Sequence, residues 1–122
     1  MVYTIELARD AEYNNVTFIG TPTIKEMEAS RAEINDALVT YNWNKVLVEG
    51  NNNKPKLSLY EHAKFTKELL SIFPTDVYIA IIHNWEFEVD DLLVKKLARN
   101  YGLNLKFFSS KYKALSWLLT NR

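Results

Sequence analysis

The chain has 122 residues, of which 48% are hydrophobic and 25% charged, with fifteen basic and fifteen acidic side chains and no cysteine. That length suits a single domain, residues 1–122, burying about two-thirds of its extended-chain surface. The balanced charge argues against duplex nucleic acid as a partner, which calls for a clustered basic excess, and the missing cysteines exclude disulfides, thiolate metal sites and a cysteine nucleophile.

Two alternating segments come first. "VYTIEL" (2–7) sets Tyr3, Ile5 and Leu7 on one face, and "VTFIG" (16–20) follows a polar link ending in Asn14-Asn15. Alternation buries one face of each strand, so the pair reads as an antiparallel hairpin with the first strand at the sheet edge. After Pro22 the period changes. "TIKE" (Thr23 to Glu26) is a capping box, and Ile24, Met27, Ile34, Leu38 and Tyr41 recur at helical spacing, predicting a helix over 23–41. "KVLVE" (45–49) is a short apolar run expected to be covered on both faces.

"GNNNKPK" (50–56) reads as loop, because Pro55 cannot donate to a ladder. "SLYE" (Ser58 to Glu61) is a second capping box, opening a helix that stops before Pro74. "VYIAII" (77–82) is apolar throughout and is the expected central strand. "VDDLLVKKLARNY" (89–101) predicts a helix stopped by Gly102, "LNLKFF" (103–108) a last strand, and "SKYKALSWLL" (110–119) a closing helix. The order β-β-α-β-α-β-α-β-α predicts an α/β domain with a mostly parallel sheet of about five strands and four helices covering both faces. The longest apolar runs fall far short of the ~20 residues that cross a bilayer, and the amino-terminal residues lack a secretory pattern. A cytoplasmic protein that does not span a membrane is expected.

Charge is unevenly placed along the chain. Asp76, Glu86, Glu88, Asp90 and Asp91 occur without a base between them, whereas Leu92 onward carries Lys95, Lys96, Arg99, Lys106, Lys111, Lys113 and Arg122 without an acid. Helix electrostatics accounts for this first, with acids at one helix start and bases toward its end. The rival reading is a basic face that docks an acidic partner.

Ligands of open parallel sheets sit beyond the carboxyl ends of the strands. There the order places Glu49, Asn51, Asn52, Asn53, Lys56, Ser58, His83, Asn84 and Trp85, with Ser109 and Ser110 nearby. Catalytic motifs are missing from this set. Glycine occurs three times, at Gly20, Gly50 and Gly102, so no phosphate cradle is encoded. Ser58, His83 and Glu49 supply the residue types of a hydrolase, but no nucleophile elbow surrounds Ser58 and the cap already explains it. His62 and His83 lack a two-histidine metal spacing, so neither a metal nor another cofactor is expected.

The hairpin ending "VTFIGTPTIKEM", the buried "KVLVE", the run "VYIAII" and the closing "KFFSSKYKALSWLL" together resemble the STAS fold, in its SpoIIAA-like (STAS/CRAL-TRIO-related) branch of small bacterial proteins. The resemblance spans essentially the whole chain and rests on no catalytic motif. It implies a non-enzymatic regulatory domain like the anti-sigma-factor antagonists, with a protein partner. In that family a serine at the start of the helix after the second central strand is phosphorylated, within Asp-Ser-Ser-Gly. Ser58 falls at that place, yet Leu57, Leu59 and Tyr60 replace the flanking residues and no glycine follows. The SpoIIAA-like branch generally lacks the switch motif and is linked with binding small apolar ligands or lipids. A carrier with a pocket near Phe73, Trp85 and Phe108 is thus the alternative, and a Ser/His hydrolase the remote one.

Overall fold

Tyr3–Ala8 (β1) and Tyr13–Phe18 (β2) form the expected antiparallel hairpin, in a register running from Tyr3 opposite Phe18 to Ala8 opposite Tyr13. The computed structural model describes residues 3–19, 23–49, 58, 60, 61, 64, 67, 68, 76–82, 89–100 and 102–120. The turn differs from the expectation. It falls at residues 9–12, closed by the Ala11 N–H donating to the Ala8 carbonyl at 3.2 Å, with Glu12 left-handed at φ 58°. Asn14 and Asn15, expected to end the polar link, are therefore strand residues, and both are buried.

Helix α1 runs from Ile24 to Tyr41 under the expected box. The Glu26 N–H donates to Thr23 Oγ1 at 3.2 Å while the Thr23 N–H donates to Glu26 Oε1 at 2.8 Å, satisfying two free donors of the first turn. Its buried stripe is Ser30, Arg31, Ile34 and Leu38. Tyr41 leaves that stripe. It is exposed, stacks on Trp43 with ring centroids 4.9 Å apart, and accepts a bond from Arg9 Nη2 at 3.2 Å.

Three parallel strands complete the sheet: Lys45–Glu49 (β3), Tyr78–Ile82 (β4) and Asn104–Phe108 (β5). Strands follow one another in chain order, β1-β2-β3-β4-β5, with only the first pair antiparallel. The middle place thus belongs to β3 rather than to β4, a correction to the reading of "VYIAII". Each crossover advances by one strand, and β4 is apolar because both of its faces are covered. The helix expected after Ser58 is described only in part; Tyr60, Glu61, Lys64, Lys67 and Glu68 are helical. Helix α2 spans Val89–Asn100 and ends at Gly102, whose φ of 74° is the left-handed stop expected there. Helix α3 spans Lys111–Thr120, capped by Ser110 Oγ accepting the Lys113 N–H at 3.1 Å.

Pleating divides the core into two layers. Val16, Val46 and Ile79 face α1 and pack on Ile34 and Leu38. Leu47, Ala80 and Ile82 face the other way and pack on Ala114 and Leu118 of α3. Right-handed crossovers that always step the same way keep their helices on one side. Arg31 agrees with that rule: its Nη2 lies 3.4 Å from Glu68 Oε2, which sets the residues after Ser58 beside α1. Helix α3 follows the last strand and is free to cover the opposite face.

Candidate functional site

Because β2 to β5 are parallel, their carboxyl ends share one rim. Glu49 pairs with Ile82 in register, so the adjacent strands β3 and β4 end together. Of the nine residues proposed from the sequence, Glu49 and Ser58 are described; Asn51, Asn52, Asn53, Lys56, His83, Asn84 and Trp85 lie outside the described residues.

Glu49 is the last residue of β3 and faces the α3 side. Its Oε2 accepts a bond from Thr17 Oγ1 at 3.3 Å, and its Oε1 stands 3.5 Å from Lys111 Nζ. Thr17 reaches it because the parallel register sets the two residues side by side at the ends of β2 and β3. Lys111 reaches it from the first turn of α3, which Ser110 anchors just past β5. The carboxylate therefore ties β3 to two further elements, β2 and α3, and its charge is matched. Sequence reasoning missed Thr17 and Lys111. Their only signal was position: each stands near the end of a strand, and pairing β2 with β3 in parallel would have joined the first to Glu49.

Ser58 is exposed and caps the helical residues that follow. The Glu61 N–H donates to Ser58 Oγ at 3.1 Å and the Ser58 N–H donates to Glu61 Oε1 at 3.0 Å, the reciprocal pattern of a capping box. The hydroxyl oxygen and the Glu61 carboxylate are thus both engaged in holding a helix start. Phe108, the described member of the expected carrier pocket, packs on Trp117 with centroids 5.7 Å apart. Phe73 and Trp85 lie outside the described residues. Among the described residues no three histidine, aspartate or glutamate side chains gather as metal ligands would, and no helix is long and apolar enough to cross a membrane.

The fold is matched by the crystal structure of an uncharacterised protein of the DUF3478 family, with a SpoIIAA-like fold, from Shewanella loihica PV-4. The match has a TM-score of 0.62 at 23% identity and covers 95% of this chain and 91% of that one. No family model matches the chain, and no curated protein matches it. At this identity the likeness establishes the fold, which is SpoIIAA-like, as "VTFIGTPTIKEM" and the closing helix implied.

Proposed function

We propose that this chain is a non-enzymatic interaction domain whose partner protein docks on the rim where β3 and β4 end. One observation carries the reading: the two described residues of the expected site, Ser58 and Glu49, serve the architecture. Ser58 Oγ and the Glu61 carboxylate form a helix cap, and Glu49 is held by Thr17 and Lys111. Ser58 is exposed and Glu49 half-buried on a fixed frame, which suits recognition better than chemistry. A phosphoryl group on Ser58 would stand within the same capping box as the Glu61 carboxylate. Like charges would repel and the Glu61 bond would be lost, although the helix amides attract the anion. Modification there would remodel the rim and not merely add charge.

The test is affinity capture from native lysate with the wild-type chain and a Ser58→Asp, Lys56→Glu variant. A partner held by the wild type and lost by the variant supports the reading. Identical recoveries, whether empty or full, count against it.

A further inference from the structure

The order of strands gives the sheet two electrically unlike margins. At the β1 end the acids Glu6, Asp10 and Glu12 of the hairpin and Glu26, Glu33 and Asp36 of α1 outnumber the cations Arg9 and Lys25. At the β5 end lie Lys95, Lys96 and Arg99 of α2, Lys106 of β5, and Lys111 and Lys113 of α3, all exposed. The first three come from the helix that packs on β5, and Lys106 points to the α3 face of the same strand. Cations therefore line both sides of one sheet edge.

Helix electrostatics explains part of this and fails for the rest. Arg99 in the last turn of α2 suits the macrodipole. Lys111 and Lys113 stand in the first turn of α3, where the dipole is positive; that turn holds no acid, and the last turn holds no base. The arrangement on α3 is the reverse of what helix stability favours. Lys106 belongs to no helix at all. Of the six cations, Lys111 has Glu49 as an ionic partner, and none of the described ion pairs engages the other five.

We propose that the β5 margin is a docking surface for an acidic, extended segment of a protein partner, laid along β5 between the α2 and α3 cations. In the described sheet β5 pairs with β4 alone, and its five residues present an edge about 17 Å long. Phe108, under Lys106 Nζ at 5.6 Å, provides an apolar contact beside the charge. The fit to a short acidic segment is better than to a nucleic-acid backbone. Four strand spacings, about 19 Å, separate this margin from the acidic one, which would repel a longer polyanion. This surface runs along the sheet's side and meets the rim of the proposed function at Lys111, which pairs with Glu49.

Fluorescence anisotropy with a labelled ten-residue peptide of alternating glutamate and valine tests it, at 20 and 200 mM salt. The comparison set is the wild type, Lys106→Glu/Lys113→Glu, and a Lys25→Glu control with a charge reversal on the acidic side, each checked for folding by circular dichroism. The proposal expects saturable binding that weakens with salt, falls at least tenfold in the double variant, and changes less than twofold in the control. Absent binding at low salt, or equal loss in both variants, overturns it. Tighter binding of a labelled ten-nucleotide single strand would replace the occupant with nucleic acid. Sedimentation showing wild-type self-association that the double variant abolishes would replace it with the acidic margin of a second copy.

Discussion

Replacing Asn14 by leucine should make this protein more stable. Asn14 sits in the second strand between Leu7 and Val46, on the face covered by α1, and is wholly buried. Among the described residues, neither its Oδ1 nor its Nδ2 has a hydrogen-bond partner. An amide withdrawn from water without compensation costs about 1–3 kcal/mol on mutational scales. Leucine keeps the same four-atom branched skeleton and removes both polar atoms. Its methyl groups are somewhat larger, and crowding returns up to about 1 kcal/mol of the gain. The net expectation is a stabilisation of about 1–2 kcal/mol. For a chain of this length the unfolding entropy near the midpoint is about 0.25 kcal/mol/K, so the melting temperature rises by about 4–8 °C. Urea denaturation followed by tryptophan fluorescence reads the change as a higher midpoint at constant m-value. A Leu variant at or below wild-type stability, with m unchanged, would refute the reasoning and show that the Asn14 amide is satisfied in solution.

Four further outcomes follow from contacts described above. Leu118→Ala removes a wholly buried side chain from the layer between α3 and the sheet and should cost about 2–5 kcal/mol in the same denaturation assay. Gly102→Ala places a Cβ in open space, so only its left-handed backbone is penalised; a loss of about 1–2 kcal/mol is expected in thermal melts. Ser58→Ala removes the cap acceptor and should cost about 0.5–2 kcal/mol, whereas Ser58→Asp, itself a good cap, should stay close to wild type by circular dichroism melting. Tyr3 donates to Glu33 Oε1 at 3.0 Å; desolvation first, and then this bond, raise its hydroxyl above the ordinary value of 10.0. The stabilisation is complete below the unfolded phenol's pKa and is lost as pH rises through the folded one. Tyr3→Phe should therefore cost at most about 1 kcal/mol near neutrality, and its deficit should shrink in urea melts above pH 10.

The sequence carried the succession of elements well because period, caps and stops agreed with one another. Thr23-Glu26, Ser58-Glu61 and Gly102 each act through neighbouring backbone, so local spacing was enough to place them. The two asparagines of β2 show where that logic ends. Asn14-Asn15 has turn chemistry, yet the register of the hairpin draws both into the ladder and tertiary burial overrides local preference. Arg31 was hidden for a related reason. A guanidinium on an amphipathic helix reads as solvent-facing, and the approach of Glu68 from a later segment is one contact that local pattern does not record. At the rim, Glu49 was legible as a strand end, whereas Thr17 and Lys111 meet it through pairings that no local pattern records.

The succession of strands has a consequence for how the chain is made. Every strand lies beside its immediate predecessor, so no late segment must be inserted between two earlier ones. A nascent chain can lengthen the sheet one crossover at a time as it leaves the ribosome, amino end first. The face of Leu47, Ala80 and Ile82 must wait longest, because α3 is its cover and is synthesised after all five strands. Stalled or shortened products would display that greasy surface, which makes them natural clients for chaperones and proteases.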